Sequence, residues 1–401
     1  MKYELLSPVG NLECLYAAIE AGANAVYLAG KLFGARAFAG NFTDEELITA
    51  INTCHLYGVK CYVTVNTIIY EHEVDKFLNY IDFLHKNNVD AVIIQDIGMF
   101  DLIRKTYPNL EIHISTQMHI HNLEGVKLVE SLGASRVVLA RETDIEKIKE
   151  IKENTNIELE VFVHGALCLC YSGCCYMSTL IGSRSGNRGT CSQCCRLSYN
   201  VLDENFNKLN KEEIYPLSTK ELCTIKDIGK LIDIGVNSFK IEGRMKSPEY
   251  VYLVTSLYRK AIDNYLTYKD TKITEQDIIE IKKMFNRTFT KGFLHKEDNN
   301  NFTNPFRPNH LGIEIGKVID YKNNYCFVKL NHEININDGI RILDKEDYGL
   351  TLNNFYINKK LVKKANINDI ISFKVNKKIN INSKVLLRGF SMHMDGLQKG
   401  Q

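Results

Sequence analysis

The stretch from His164 to Arg196 holds seven of the chain's twelve cysteines. The first residues, MKYELLSPVG, contain no apolar segment of the kind an export signal needs, and no run of about eighteen apolar residues occurs. We therefore expect a cytoplasmic protein without a membrane span. In a reducing compartment, clustered cysteines more often bind metal or do chemistry than form structural disulfides. The sequence predicts a metal or redox site in this stretch.

The spacing of the cysteines narrows the kind of site. Zinc ribbons use two Cys-x2-Cys pairs, and Cys191 with Cys194 is one such pair without a matching second. The looser set of Cys168, Cys175, Cys191 and Cys195 suits an iron–sulfur cluster, which accepts thiolates from irregular loops. Some of the thiols are also expected to be small buried hydrophobes. Spacing alone leaves an iron–sulfur cluster, a zinc site and redox or structural thiols open.

Eight short β-rich runs alternate with helical stretches through the first 245 residues. The runs begin near Tyr3, Ala25, Cys61, Ala91, Glu111, Arg136, Glu158 and Ser238. This alternation predicts an α/β fold, a (β/α)8 TIM-like barrel. The alternative, an open doubly wound sheet, is disfavoured because no GxGxxG follows the first strand. Gly22 and Gly58 are expected to end helices in the left-handed conformation.

The 401 residues are too many for one ordinary domain. We expect the barrel to span residues 1–295, with a cysteine-rich insertion at about 165–236 after the seventh strand. Barrel active sites lie at that C-terminal face of the strands. The polar residues 296–310, which carry two prolines, are typical of a linker. Short strands split by polar turns predict a small antiparallel β-barrel over residues 311–401.

The charge is unevenly distributed although the net charge is only +2. Against Asp369 alone, residues 351–390 carry nine basic side chains: Lys359, Lys360, Lys363, Lys364, Lys374, Lys377, Lys378, Lys384 and Arg388. One interpretation is a footprint for the phosphate backbone of RNA, which would make this module RNA-binding. The other is a solvated, lysine-rich surface, and composition does not separate the two.

Polar residues at predicted strand ends are candidates for catalysis or binding, because strand ends supply catalytic groups in this fold. They are Ser7, Asn66, Gln95, Ser115, Gln117, Arg141, Glu160, His164, Lys240, Glu242 and Arg244. Each could equally be a polar residue in a barrel layer, but His164 directly precedes the cysteine segment. Arg36 and Arg141 suit a dicarboxylate, since guanidinium pairs bidentately with carboxylate. Glu242 and Arg244 point to one side of the last strand.

Five motifs carry a resemblance to a known family: HGALC, YSGxCY, NRGxCxQxCR, SFKIEGRMKSPEYV and FNRxFTKG. They resemble the signatures of the family once named collagenase-like peptidases. Its members include prephenate-dependent tRNA uridine hydroxylation proteins, an rRNA cytidine hydroxylation protein and a pair of ubiquinone-biosynthesis hydroxylation proteins. The resemblance covers nearly the whole chain, including the C-terminal module.

The resemblance implies a [4Fe–4S] cluster held by four cysteines. The motifs assign Cys168, Cys175, Cys191 and Cys195 as ligands, with Cys223 as the alternative fourth. The other three thiols of the stretch fall at positions that the motifs leave variable: Cys170, Cys174 and Cys194.

The resemblance also implies a tRNA modification enzyme that hydroxylates the wobble uridine to 5-hydroxyuridine, with prephenate as co-substrate and the tRNA anticodon loop as partner. On this hypothesis the catalytic residues are His164, Glu160 and Glu242. The substrate-binding residues are Arg36, Asn66, Gln95, Gln117, Arg141, Lys240 and Arg244.

Three alternatives remain: hydroxylation of an rRNA cytidine, a collagenase-like peptidase, and tRNA binding without catalysis. The peptidase hypothesis is the weaker one, because neither HExxH nor GxSxG occurs in the chain. His164 could pair with a nearby thiol as a Cys–His nucleophile. That role is closed to thiols that bind iron.

Overall fold

The computed structural model describes residues 3–37, 39–295, 302–344 and 347–389. The chain forms two compact units, the first of Met1–Ile273 with Phe289–Pro308 and the second of Thr274–Thr288 with Asn309–Gln401. Within the described residues, no helix combines the length and the apolar character that a membrane span requires.

A closed parallel barrel forms the first unit. Its sheet contains β1 (Glu4–Pro8), β2 (Ala25–Leu28), β3 (Lys60–Val65), β4 (Ala91–Ile94), β5 (Glu111–Ile114), β6 (Arg136–Val138), β7 (Glu158–Ala166), β8 (Glu221–Cys223), β9 (Ser238–Ile241) and β10 (Phe289–Thr290). Strands β1 to β7 pair in sequence, β7 pairs with β9, and β9 closes the barrel on β1. The eight predicted strands and the TIM-like fold are confirmed.

Helices lie between the barrel strands. They are α1 (Leu12–Glu20), α2 (Asp44–Leu56), α3 (Val74–Lys86), α4 (Ile97–Thr106), α5 (Leu123–Ser131), α6 (Ile145–Asn154), α7 (Met177–Gly182), α8 (Ile228–Ile234) and α9 (Pro248–Tyr268). Local sequence sets their ends: Thr43 and Glu46 form a capping box at the start of α2. As predicted, Gly22 and Gly58 adopt positive φ, 84° and 69°, where a side chain would be strained.

The segment between β7 and β9 carries the cysteines. The last residues of β7 pair antiparallel with β8, and β10 pairs with β8 in turn. Between β7 and β8 the chain forms only α7 and short turns. The segment therefore emerges at the C-terminal ends of the barrel strands.

A curled antiparallel sheet forms the second unit together with α10 (Glu275–Met284). Its strands are β11 (Ile313–Lys322), β12 (Tyr325–Leu330), β13 (Ile334–Asn335), β14 (Gly339–Leu343), β15 (Tyr348–Thr351), β16 (Phe355–Ile357), β17 (Lys360–Val362), β18 (Lys364–Ala365), β19 (Ile370–Lys374) and β20 (Lys384–Gly389). Eight of them follow the order β15-β14-β20-β11-β12-β19-β16-β17. The five strands predicted here, β11, β12, β14, β19 and β20, are all present.

The division of the chain differs from the expected boundary at residue 295. Helix α10 belongs to the second unit because Ile279 packs against its apolar core and the Asn286 side chain donates to the Gly312 carbonyl at 2.7 Å. Residues 302–308 belong to the first unit, where Thr303 bridges to Thr219. Residues 296–301 of the expected linker lie outside the described residues.

Candidate active site

An arginine–glutamate cluster lies at the C-terminal end of β9. The Glu242 carboxylate accepts from Arg36 Nη2 at 3.2 Å and from Arg141 Nη2 at 2.9 Å. Arg244, which is buried, donates from Nη1 to Thr64 Oγ1 at 3.3 Å. Burial alone would raise the pKa of Glu242, but the three arginines lower it to about 2. The carboxylate is therefore ionised, and the cluster carries a net positive charge because three arginines face one glutamate.

Neutral polar residues from the neighbouring strands border this cluster. The Asn66 side chain accepts from the Ala35 backbone N–H at 3.1 Å and donates to Ser115 Oγ at 3.2 Å. Gln95 Nε2 donates to the Gln117 carbonyl at 3.4 Å. Within the described residues, the buried Gln95 Oε1, Gln117 Oε1 and Arg141 Nε lack a hydrogen-bond partner. A buried polar atom without a partner costs free energy, so these three indicate a polar binding site.

Cys195 is within electrostatic reach of three other cysteines of the segment, and one of these, Cys168, contacts the arginine cluster. Burial raises the pKa of the Cys195 thiol, and Cys168, Cys191 and Cys175 raise it further through their own charges, so all four sulfurs are within electrostatic reach. Arg141 Nη1 lies 3.8 Å from Cys168 Sγ. In the described part of the chain, no group of three or more His, Cys, Asp or Glu has the geometry to hold a single metal ion.

Two further cysteines of the segment adjoin members of this group. Ser178 Oγ lies 3.7 Å from Cys191 Sγ and 3.9 Å from Cys194 Sγ, and Cys170 is hydrogen-bonded to Cys175. Cys194 is buried, with Ser192 Oγ 3.1 Å from its sulfur. Cys223 pairs with His164 across β7 and β8, and its charge raises the already high pKa of the buried Tyr258.

The cysteine segment is held tightly against the barrel loops. At Gly173, φ is 76°, and a Cβ would lie 1.9 Å from the Gln117 carbonyl oxygen. At Gly189, φ is 77°, and a Cβ would lie 2.6 Å from a carbonyl oxygen of the loop after β2. Arg188 adds an ion pair to Glu73 at 2.6 Å. Only glycine permits such close backbone approach, so these two positions fix the segment over the barrel mouth.

His164 is not brought to the mouth. Simple alternation along β7 would place it on the same face as Phe162, inside the barrel. A bulge between Phe162 and His164 shifts the register, so that His164 pairs with Ile241 and faces the helices. There its ring packs against Tyr258 and Phe289, with centroid distances of 5.5 and 5.9 Å. Burial lowers the pKa of His164 to about 3, so the imidazole is neutral.

Glu160 and Lys240 also lie away from the mouth, in the barrel interior. Glu160 is fully buried and accepts from Lys240 Nζ at 2.8 Å and from Arg136 Nη1 at 3.2 Å. Burial alone would raise the pKa of Glu160, yet these two cations lower it to about 2. Ser7 bonds to Thr255 of α9 at 2.8 Å and faces the helix layer. The predicted residues that the structure does bring together are Arg36, Asn66, Gln95, Ser115, Gln117, Arg141, Glu242 and Arg244.

The sequence did not predict a second polar group, which Cys174, His119 and Glu142 form. Cys174 Sγ lies 3.0 Å from His119 Nδ1, and His119 Nε2 lies 3.1 Å from Glu142 Oε1. The backbone N–H and hydroxyl of Ser172 each donate to Glu142 at 2.9 Å. The available signal was position, because His119 follows the end of β5 and Glu142 follows the end of β6.

Three relatives place this arrangement in context. Over 299 residues, 73% of this chain and 71% of the other, it is 40% identical to tRNA hydroxylation protein P1 of Bacillus subtilis (strain 168). Over 401 residues, 96% of this chain and 98% of the other, it is 36% identical to an uncharacterized protease of Methanocaldococcus jannaschii. Over 355 residues, 86% of this chain and 53% of the other, it is 36% identical to a 23S rRNA 5-hydroxycytidine synthase of Escherichia coli (strain K12).

The family resemblance noted from the motifs is confirmed. The family model of peptidase family U32 matches residues 10–304, which include the barrel, the cysteine segment and the arginine cluster. The chain therefore belongs to peptidase family U32.

Proposed function

We propose that this protein is an RNA-modifying enzyme that hydroxylates a pyrimidine ring, with the wobble uridine of tRNA as its target. The observation that carries the proposal is Arg141, which contacts Glu242 at 2.9 Å and Cys168 Sγ at 3.8 Å. One side chain thus joins the arginine–glutamate cluster to the cysteine segment. The proposal is supported by relatives named as a tRNA hydroxylation protein and an rRNA hydroxycytidine synthase.

Four cysteines, Cys168, Cys175, Cys191 and Cys195, are the proposed ligands of a [4Fe–4S] cluster. Each thiolate of such a cluster binds a different iron, so the sulfurs need not meet around one point. Cys195 is within electrostatic reach of the other three, which supports a shared site with Cys195 as the fourth ligand. Cys223, at the end of β8, is the alternative fourth ligand. When bound, a cluster would supply one-electron chemistry at the mouth.

The arginine cluster suits prephenate, a dicarboxylate, as co-substrate. Arg36, Arg141 and Arg244 face one carboxylate, so positive charge remains for a ligand. Guanidinium groups bind carboxylates bidentately. The unpartnered carbonyl oxygens of Gln95 and Gln117 would accept from a donor hydroxyl group.

The RNA must present an unpaired base, because a stacked pyrimidine is not accessible to a site inside a barrel mouth. The anticodon loop supplies such a base. In the second unit, the lysine-rich residues 351–390 are proposed to contact the RNA backbone. An rRNA cytidine remains the alternative target, since the Escherichia coli relative is named for one.

A cysteine peptidase is the second candidate. The observation that favours it is the Cys174–His119–Glu142 arrangement, in which a thiol meets an imidazole that a carboxylate orients. The uncharacterized protease of Methanocaldococcus jannaschii bears a matching name. The two functions use different cysteines, so substitutions can separate them.

The test combines iron analysis with nucleoside analysis. Alanine at Cys168, Cys175, Cys191 or Cys195 should abolish bound iron in anaerobically purified protein, because each removes one thiolate ligand. The matched control, Cys174→Ala, should retain iron. The tRNA of cells lacking the protein and its paralogues should lose 5-hydroxyuridine and its derivatives, and the wild-type gene should restore them.

Two outcomes would contradict the proposal. Unchanged 5-hydroxyuridine in the deletion cells would remove tRNA hydroxylation. Peptide cleavage that Cys174→Ala abolishes and Cys168→Ala preserves would establish the peptidase instead.

A further inference from the structure

Three aromatic rings stack beside the barrel mouth. The His119 ring stacks with His121 at a centroid distance of 4.6 Å and with Tyr171 at 5.8 Å. The interplanar angles are 30° and 23°. His121 is exposed, and 60% of Tyr171 is accessible to solvent. We call His121, His119 and Tyr171 the ring column. Its two outer rings, His121 and Tyr171, present aromatic surface to solvent.

The central ring of the column is held at both nitrogens. Cys174 Sγ lies 3.0 Å from Nδ1 of His119, and Glu142 Oε1 lies 3.1 Å from Nε2. Ser172 fixes the Glu142 carboxylate through two hydrogen bonds of 2.9 Å. His119 is consequently prevented from rotating, and the stack that it supports is formed before any ligand arrives. A preformed surface loses less entropy on binding than one that must be ordered.

The ring column is attached to the proposed active site. Ser172, next to Tyr171, also accepts from the backbone N–H of Arg141 at 3.2 Å. Gly173 packs against the Gln117 carbonyl, where a Cβ would lie 1.9 Å from the oxygen. The column thus borders the same loops that hold Arg141 and Gln117.

A second exposed stack follows β3, on the same C-terminal face of the barrel. Tyr70 and His72 stack with centroids 5.8 Å apart, and the Arg188 guanidinium lies 4.5 Å from the Tyr70 ring centroid. Arg188 belongs to the cysteine segment. Aromatic rings combined with arginine are the surface that single-stranded nucleic acids use, because every base has a face that can stack.

We infer that the ring column of Tyr171, His119 and His121 is a stacking platform for an unpaired base of the RNA substrate, next to the base that enters the mouth. The inference rests on the proposed function. A base flanking the reactive nucleotide would stack on the exposed outer rings, while the reactive base leaves the stack. The partner class is therefore single-stranded RNA in a loop, and a continuous duplex would not fit, because its bases are already stacked on one another.

The experiment measures binding of a fluorescently labelled anticodon stem-loop to the iron-loaded, full-length protein. Tyr171→Ala and His121→Ala should each weaken binding by roughly 5- to 150-fold, the range for losing one base–aromatic stack. Tyr171→Phe should bind as the wild type does, because the ring is retained. Tyr57→Ala is the matched control, since Tyr57 is exposed but precedes β3 at the opposite end of the barrel. A blunt duplex with the same stem should bind equally to all variants.

The outcomes separate this inference from the proposed function. Wild-type affinity in both Tyr171→Ala and His121→Ala, in protein that hydroxylates RNA, would overturn the platform and leave the function intact. Weaker stem-loop binding in both variants, with wild-type iron content and no change for Tyr57→Ala, would support the platform even if the modified nucleoside proved to be different. An equal loss of duplex and stem-loop binding would overturn it, because the rings would then act on RNA generally.

Discussion

Two charge networks lie in the barrel, one in its interior and one at its mouth, and they differ in balance. In the interior, the carboxylates of Glu4, Glu158 and Glu160 pair with Arg136 and Lys240. At the mouth, three arginines from the loops after β2, β6 and β9 face the single carboxylate of Glu242. Both networks are built from the same residue types. They differ in whether the charges already satisfy one another.

The difference indicates which network is structural and which binds a ligand. In the interior network, Glu160 Oε2 also accepts from Ser238 Oγ at 3.1 Å, and Tyr62 donates to Glu4 at 2.6 Å. Around the mouth, the arginines exceed the carboxylate. Buried atoms without a partner do not separate the two networks, because both ring nitrogens of His113, which packs on Tyr62, also lack a partner among the described residues. A network whose charges are paired stabilises the fold, whereas we expect the surplus of arginines to be neutralised by a ligand.

The largest effect is expected from breaking the interior network. Glu160→Ala leaves Lys240 and Arg136 buried with less compensating charge, which should lower the free energy of unfolding by about 3–5 kcal/mol. Denaturant unfolding measures the loss, with Glu153→Ala as the control on an exposed pair, where less than about 1 kcal/mol is expected. Wild-type stability in Glu160→Ala would mean that the interior network is not structural.

A smaller effect, on activity alone, is expected at the mouth. Arg141→Ala should fold and retain iron. Its rate of hydroxylation should fall by roughly 30- to 150-fold, or about 2–3 kcal/mol, because a carboxylate of the co-substrate prephenate loses the guanidinium that pairs with it. Arg141→Lys should fall between, since lysine keeps the charge without the bidentate fork. The measurement is 5-hydroxyuridine and its derivatives in tRNA from cells that carry only the variant. If Arg141→Ala unfolds as readily as Glu160→Ala, the contrast between the networks fails.

The smallest effect concerns His164, which belongs to neither network. Its pKa of about 3 lies below the ordinary value of 6.5, so between these values the unfolded state binds more protons than the folded state. Stability should therefore fall as the pH drops from 6.5 toward 3, by up to about 1.4 kcal/mol per pH unit from this residue. His164→Phe should reduce the slope in that window and leave hydroxylation near the wild-type level. Identical slopes would contradict the lowered pKa of His164. Lost activity with intact stability would return His164 to the catalytic residues.

The fold and half of the site could be predicted because they depend on local patterns. Short β-rich runs that alternate with helical stretches identified all eight barrel strands, and position at strand ends identified Arg141, Glu242 and Arg244. Glu160 and Lys240 could have been excluded by the same criterion, because both lie inside their strands, before the C-terminal end. Their side chains point into the barrel, but they are buried below its mouth.

The remainder depends on features that no local pattern encodes. The bulge before His164 adds one residue to β7 and turns the imidazole from the barrel interior to the helix layer. The Cys174–His119–Glu142 arrangement joins three loops, and its geometry is set by the close approach of Gly173 to Gln117. Contacts of that kind follow from tertiary packing, so the sequence indicates only which loops supply them.

The second unit is built from two separate segments of the chain, which are synthesised at different times. Helix α10 emerges from the ribosome before β10, which returns to pair with β8, and the chain leaves the first unit again only after Pro308. The two units are therefore interleaved along the gene, and no single cut separates them. A deletion after residue 308 would leave α10 without the sheet that covers it, so the second unit is removed cleanly only by also replacing Thr274–Thr288 with a short connector.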